Sequence, residues 1–512
     1  MGRHPTWNEL GVVGDRVCGS AAERRLAEQL GAIRPERVDA YLAALPGARA
    51  AVLARLWRGL VHEPLPWVVR RTTGRDGVGL ELADGRRLHG PPSDPWATGT
   101  AIARVELDGR PFGHPGRLLT ALAVPGGGRL AAELDHSAAS MALSRTAPRP
   151  ADPPTAPWQW EQRSPDGHPY HPTCRSRPGF SAAEQLAYAP EHRPVVGLRL
   201  TPVADAVLRG PWPADLRDGR VTLIPVHPWQ AEHTLTGRTL LAGPRAHPLL
   251  SLRTLDPGGD VHVKTALSTR LTSAVRDISA HSVEHALTTS EVVERAAARL
   301  GGRLHIARTL AAAGAGTPDL AAVLRQSPYT YAGAGEQVVP VAELPAFFAP
   351  LTPGERWSRI TGFARLAVGV CLDMLDLGVA LGAHGQNLLA VLDEEGRARR
   401  LVYRDLADIR VSPTRLLRHR LPSPPTGRLV DDDPPGLRRH AFGCLVTGSL
   451  GPLAGSAAAL GALLEAATRD LPATPDLRAL VADPVPAKAL TLMRLAPDGV
   501  RWALLPNPAR NG

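Results

Sequence analysis

The sequence reads as an α+β protein with helices and strands segregated along the chain, on three observations. Residues 21–60 carry apolar side chains at helical spacing. Residues 66–90 and 160–280 consist of short alternating or Val- and Leu-rich pieces between turns containing Gly or Pro, the pattern of antiparallel strands. A helical stretch at about 355–378 then runs into two apolar segments joined by "DEEGRARR", which spells a hairpin, and helices close the chain from about 438.

Taken in order, the first helical segment is expected to break at Pro35 and Pro46, because proline removes a backbone donor. "WVVRRTTGRDGVGLELADGRRLHG", from about residue 66, gives short strands. "TAPRPADPPTAPW" (146–158) fits neither helix interior nor central strand and marks a domain boundary. Residues 282–325 look helical, notably "SEVVERAAARL" and "PDLAAVLRQ". In the hairpin, a turn centred near Glu395 pairs positions summing to about 790, which sets Gly385 opposite Asp405 and Asn387 opposite Tyr403. "LLRHRLPSPPTGRLVDDDPPGL" (416–437) reads as a mobile loop, and no solenoid repeat is present.

At 512 residues the chain has length for two or three domains. It has no apolar run long enough to span a bilayer, and its first 25 residues lack the apolar core of a signal peptide, so a cytoplasmic location is expected. Cys18, Cys174, Cys371 and Cys444 form neither a CxxC pair nor a disulfide ladder and are expected to be free thiols. The net charge of +10 is scattered, with no dense basic tract, which argues against nucleic acid and for a basic cleft that concentrates small polyanions. Of the 59 basic residues only Lys264 and Lys488 are lysine. Where drift toward arginine has been this complete, a surviving lysine marks a position that needs a compact ammonium.

The polar groups fall into four clusters. His384, Gln386, Asn387, Arg404 and Asp405 sit at the outer end of the hairpin, where amide and carboxylate oxygens suit a magnesium ion that keeps waters and shares phosphate oxygens. Capping of the preceding helix and closure of a turn are the plainer roles for His384, Asn387 and Asp405. "DGHPYHPTCRSRPGFS" (166–181) holds His168, His171, Arg175 and Arg177 on a stiff loop suited to a carboxylate or phosphate, or simply to solvated charge. "PLLSLRTL" (248–255) places Ser251 and Arg253 on one side of a strand, with Thr254 beside them. Lys264 and Arg276 lie twelve residues apart, about 40 Å if extended, so the chain must bend between them if both touch one ligand. The chain has no Walker P-loop, no dinucleotide fingerprint and no GxSxG elbow, so any nucleotide site must be assembled from scattered Ser, Arg, Lys and His.

"GHPYHPTCRSRPGFS", "IPVHPWQ", "LSLRT", "KTALSTRLTSAVRDIS" and "AHGQNLL…VYRDLADIR", in this order over residues 160–411, closely resemble the siderophore synthetases of the IucA/IucC type, which are independent of nonribosomal peptide synthetases. "PAKALTLMRLAPDG" (486–499) resembles the family's C-terminal motif. The resemblance implies a cupped hand of three parts: a thumb (1–155), fingers with antiparallel sheet (156–345) and a mostly helical palm (346–512). It implies an ATP-dependent acid–amine ligase of siderophore biosynthesis and iron acquisition. Such an enzyme adenylates a carboxylate of citrate or a related acid, releases pyrophosphate, and condenses the acyl-adenylate with an amine or alcohol, releasing AMP. By the same resemblance, Ser251, Arg253, Thr254, Lys264, Arg276 and His384 surround the ATP phosphates and the reacting carboxylate, with Lys264, Arg276 and His384 catalytic. Gln386, Asn387 and Asp405 serve Mg2+ and phosphate, while His168, His171, Arg175 and Arg253 hold the acid. Homodimers are common in the family, so self-association is an expectation of the resemblance alone. The chain departs from the family at Gly382, where a Glu is usual two positions before the hairpin His, and at Arg175, where a Lys is usual. A kinase-like phosphotransferase, a non-catalytic family member and the same ligase chemistry in another natural-product pathway remain alternatives.

Overall fold

The computed structural model describes residues 17–148, 152–272, 274–422 and 427–510. The N-terminal residues 1–16, on which the expected lack of a signal peptide rests, lie outside the described residues. So do positions 149–151 of the proline-rich segment and 423–426 of the 416–437 loop.

The N-terminal part begins with the helix Ala21–Ile33, started by Ser20, whose hydroxyl accepts from the Glu23 amide while Glu23 reaches back to the Ser20 amide, a capping box. The chain turns at Pro35 as expected, but the helix Val38–His62 runs through Pro46 without a break. Pro46 is exposed, and the helix holds because residues on either side of it, Leu45, Leu56 and Trp57 among them, are fully buried. Five short antiparallel strands between Val68 and Phe112 follow in sequence order, then the helices Pro115–Leu122 and Gly127–Arg145.

Glu23 is fully buried and accepts from Arg49 Nε at 2.8 Å and Nη2 at 2.6 Å and from His114 Nε2 at 3.2 Å. Burial alone would raise its carboxyl, but these partners win and hold it down at about 2. A carboxyl lower in the folded than in the unfolded chain stabilises above its unfolded value and loses that contribution as pH falls toward the folded one. Glu23→Gln is therefore expected to cost about 3 kcal/mol at neutral pH. The gap between variant and wild type should close between pH 4.5 and 2, as read by denaturant titration.

The fingers are a nine-stranded sheet with all neighbours antiparallel. At its centre Ala321–Gln326, Val261–Thr265, Thr254–Asp256 and Leu241–Pro248 lie side by side in that order. "PDLAAVLRQ", expected to be helical, supplies the strand Ala321–Gln326. Its first five residues are buried on both faces, so sheet pairing overrides the helical preference of an Ala- and Leu-rich run. Only the first half of the 282–325 stretch is helical, chiefly Ala286–Ala298.

The palm is built on the helix Pro353–Asp376, capped by Thr352 and Glu355 and buried along Phe363, Ala367, Val370 and Met374. It covers a four-stranded sheet in which the hairpin strands Leu388–Leu392 and Ala398–Tyr403 are flanked by Gln337–Pro340 and, in parallel, by Leu304–Ile306. The hairpin exists as expected, but its register differs by one residue. Leu388 pairs with Tyr403, so Asn387 stands level with Arg404, whose amide donates to its carbonyl at 3.0 Å. Gly385 is not opposite Asp405; it donates to Gly448 O and accepts from the Ala342 amide, each at 2.9 Å. A bulge between Val391 and Leu392 next to the turn accounts for the slip. Helices follow as expected, but "PAKALTLMRLAPDG" includes the strand Val485–Lys488, paired with Trp502–Leu505. Among the described residues no single helix is long and apolar enough to cross a membrane. The bent pair Pro434–Ala454 and Ala457–Thr468 has the necessary length and composition, but it buries Leu437, Val446, Leu460 and Leu463 in the palm core.

Candidate active site

One cavity of about 1240 Å³ lies between the three parts, and all twelve residues to which the resemblance assigns a role line it. The chain bends between Lys264 and Arg276 as their separation demands: the strand Val261–Thr265 gives way to a hairpin of Leu267–Leu271 and Ala274–Arg276. Ser251 and Arg253 are not on a strand. They form the turn between Leu241–Pro248 and Thr254–Asp256, with Leu252 at φ +65°. The Ser251 hydroxyl accepts from the Thr254 amide at 3.1 Å, which holds this turn at the cavity wall. The Arg253 guanidinium is bound by the Arg276 carbonyl and, at 3.3 Å, by the Asp277 carbonyl; Arg276 Nη2 donates to Leu271 O and Thr272 Oγ1, each at 2.8 Å. Backbone oxygens and the Thr272 hydroxyl thus hold two guanidinium groups, and among the described residues neither pairs directly with a carboxylate, Asp405 acting on both from farther off.

Lys264, opposite Thr254 in the sheet, donates to Asp405 Oδ1 at 2.7 Å, with Arg325 Nη2 3.7 Å from the same oxygen. Burial pushes the Lys264 ammonium down to about 7, opposed by Asp405 and reinforced by Arg253 and Arg325. Burial would raise Asp405, but Lys264, Arg325 and Arg253 hold it far below the usual carboxylate range. Asp405 sits at φ +73°, in the left-handed region that aspartate tolerates better than most residues, and so turns its carboxylate back toward the fingers. Asp405, Gln386 and Asn387 line the same cavity. This all-oxygen donor set fits Mg2+ bound with retained waters and shared phosphate oxygens.

His384 Nε2 lies 3.5 Å from Asp408 Oδ2. Asp408 belongs to the Arg404–Asp408 turn, which the Tyr403 hydroxyl fastens by donating to the Asp408 carbonyl at 2.9 Å while accepting from the Gly382 amide at 3.1 Å. Gly382 is what lets this turn approach. A Cβ there would lie 2.1 Å from the Asp408 carbonyl oxygen and 2.7 Å from Oδ2. Behind His384, the π-helical segment Gly443–Leu450 presents Gly448, where a Cβ would sit 2.6 Å from that of His384.

On the His-rich loop, His168 is open to the cavity, and its Nδ1 accepts from the Tyr170 amide at 3.2 Å. The low-dielectric cavity walls, then His171, His384, Arg55 and Arg58, press it well below the usual imidazole value. His171 is buried, accepts from the Thr173 amide at 3.2 Å, and is lowered to about 3 by burial and then by Arg494 and Arg276. The acid-binding role expected for Arg175 does not match its setting. Its donors go to the Pro165 and Ser164 carbonyls and, at 3.4 Å, to Glu191, which also pairs with Arg177 at 2.8 Å, so both arginines brace the loop.

Sequence reasoning gave no site role to three groups. Glu161 is fully buried and takes both terminal nitrogens of Arg404, each at 2.7 Å, together with the Tyr329 hydroxyl at 2.8 Å. This pair, 243 positions apart, clasps the segment before the fingers to the palm hairpin. Removing one member of such a pair strands the other charge, so Glu161→Gln is expected to cost about 3–5 kcal/mol, read as a lower denaturation midpoint. Lys488, the second surviving lysine, lines the same cavity; against burial, its charge and the His384 contact hold Asp408 well below the usual range. Its signal was the scarcity of lysine, two among 59 basic residues, which marked the position without giving its role. Asp408 had no such signal. All four cysteines are buried, and burial pushes the thiols of Cys371 and Cys444 up to about 12, leaving no activated thiolate there.

The family model described as the IucA / IucC family matches residues 156–346, the stretch that holds the fingers and the His-rich loop. Over this stretch the chain is similar to the IucA/IucC family. A second family model, described as a ferric iron reductase FhuF-like transporter, matches residues 357–500, the helical palm. Petrobactin biosynthesis protein AsbB from Bacillus anthracis str. Sterne shares the fold with a TM-score of 0.76 at 17% identity, over 96% of this chain and 98% of that one. ATP-bound aerobactin synthetase IucA from Klebsiella pneumoniae shares it with a TM-score of 0.67 at 17% identity, over 90% and 99%. A curated relative from Staphylococcus aureus, 2-[(L-alanin-3-ylcarbamoyl)methyl]-3-(2-aminoethylcarbamoyl)-2-hydroxypropanoate synthase, is 28% identical over 27% of this chain, and the match spans 30% of that relative's length.

Proposed function

We propose that the protein is an ATP-dependent synthetase of siderophore biosynthesis that adenylates a carboxylate of citrate or a related acid and joins it to an amine or alcohol. The observation that carries this reading is the single cavity in which fingers cations, palm amides and carboxylates, and the His-rich loop converge. Arg253, Lys264, Arg276 and Arg325 face the nucleotide phosphates, with Ser251 and Thr254 as hydroxyl donors on the same wall. His384 and His168 stand where the acid must approach. Attack of the carboxylate oxygen on the α-phosphorus forms the acyl-adenylate and expels pyrophosphate. The negative charge that builds on the crowded phosphorus is met by Lys264 and the two backbone-fixed guanidinium groups, which need no rearrangement as it forms. The amine then bonds to the acyl carbon and AMP leaves; the cavity's work in both halves is positioning. Gln386, Asn387 and Asp405 would hold Mg2+, which when bound offsets phosphate charge.

The relatives support the acid and amine classes. AsbB is a petrobactin biosynthesis protein, the Klebsiella protein is an aerobactin synthetase solved with ATP, and the Staphylococcus relative is named for an amide of a hydroxy polycarboxylate. Incubation with ATP, Mg2+, citrate and hydroxylamine is expected to give a hydroxamate with AMP and pyrophosphate in equal amounts. Release of ADP instead would make the protein a phosphotransferase and overturn the reading.

A further inference from the structure

Arg58 lies on the helix Val38–His62, within the thumb, and lines the cavity although only 6% of its surface is exposed. Its Nε donates to the Pro95 carbonyl at 2.7 Å, and its guanidinium carbon stands 4.2 Å over the Tyr170 ring. Nη2 is buried with no hydrogen-bond partner, and among the described residues no carboxylate comes within ion-pair distance of the group. The acids whose charge reaches Arg58 are engaged elsewhere. Glu63 accepts from the Thr491 and Leu492 amides at 3.0 and 2.8 Å, and Asp94 from the Trp96 and Ala457 amides at 2.8 and 2.7 Å.

A guanidinium stays charged even when buried, and a buried cation without a counter-ion is costly. The fold therefore keeps a buried guanidinium on the thumb wall that no ion pair within the described residues neutralises. Its charge is felt at His168, so it adjoins the loop read above as holding the acid. Thr98 lines the same thumb wall and offers a hydroxyl. The phosphates have their own cations on the fingers, leaving Arg58 to an anion that is carried at a distance from the nucleotide.

We propose that Arg58 is the anchor of a subsite for a substrate carboxylate that does not react. This rests on the ligase reading for the name of the substrates but on the uncompensated guanidinium for the site. The carboxylate comes from one of two sources: a spare arm of the acid, or a carboxyl group on the amine.

The test compares wild-type protein with R58K and R58M, each checked by its melting temperature. Binding is read by calorimetry and turnover by hydroxamate and ligation assays. If the acid supplies the carboxylate, citrate binds R58M at least tenfold more weakly, while an acid lacking the spare arm binds both proteins alike. If the amine supplies it, citrate binding and hydroxamate formation are unchanged. The KM for 2,3-diaminopropionate then rises at least tenfold, and that for ethane-1,2-diamine does not move. Wild-type protein alone must already discriminate at least tenfold within one of these two pairs, a readout that does not depend on the variants folding. Discrimination under twofold in both pairs, or folded R58K and R58M that treat all four compounds as wild type does, overturns the subsite. Absence of AMP formation by wild-type protein overturns the ligase reading instead, and the calorimetric arm still decides the subsite.

Discussion

Lys264→Ala and Lys264→Arg are both expected to lower ATP-dependent hydroxamate formation by about 10² to 10³-fold, the cost of deleting a preorganised donor to a charged transition state. The arginine variant is the sharper test. This chain carries arginine at all but two of its 59 basic positions, yet position 264 kept an ammonium. The structure explains why: the side chain is 7% exposed, its Nζ meets Asp405 at 2.7 Å, and Arg253 and Arg325 already flank it. A wider, always-charged fork has no room among those neighbours and cannot shift its proton affinity as the lysine does. His384→Ala is expected to fall in the same range. Wild-type rates in Lys264→Arg or His384→Ala, with the protein folded, would remove these residues from the chemistry.

Gly382 gives the second large effect. An added Cβ 2.1 Å from the Asp408 carbonyl oxygen forces the Arg404–Asp408 turn to move, and with it Asp405, Asp408 and the Tyr403 clamp. Overpacking of this kind costs about 1–3 kcal/mol in stability. The larger consequence is in activity, because an ångström of displacement at positioned groups costs about a hundredfold. Gly382→Ala and Gly382→Glu are both expected to lose at least that much hydroxamate formation. The second variant matters because a Glu at this position is the family's usual residue. Its introduction would raise activity if the glycine were merely a missing carboxylate, and it will not do so if Asp408 occupies that space.

The elements with strong local signals were legible in the sequence. The helix Pro353–Asp376 has a capping box and a long amphipathic period, and the hairpin has a charged turn between Leu- and Val-rich runs, so both appear where expected. What misled were elements decided by tertiary contact. Residues 321–326 look helical because alanine and leucine prefer helix, yet the sheet centre buries both of their faces. The turn at Ser251 resembles a strand in its alternation, and only the left-handed Leu252 betrays it. The twelve site residues converge on one cavity because their motifs were specific, while their individual settings were not legible: Arg175 lines the cavity, yet its donors go to the Pro165 and Ser164 carbonyls and Glu191. Glu161 carried no motif at all, since an acid is marked as a clasp only by the arginine that meets it from 243 positions away.

One side of the cavity is completed by residues far along the chain from its phosphate-facing wall. Lys488 lies on the strand Val485–Lys488, whose partner is Trp502–Leu505, and the neighbouring Arg494 pairs with Glu133 of the first part, its Nε donating at 2.7 Å. The chamber is therefore closed by a contact between segments 361 positions apart, so a change that unpairs Val485–Lys488 from Trp502–Leu505 would open this side without touching the strand that carries Lys264.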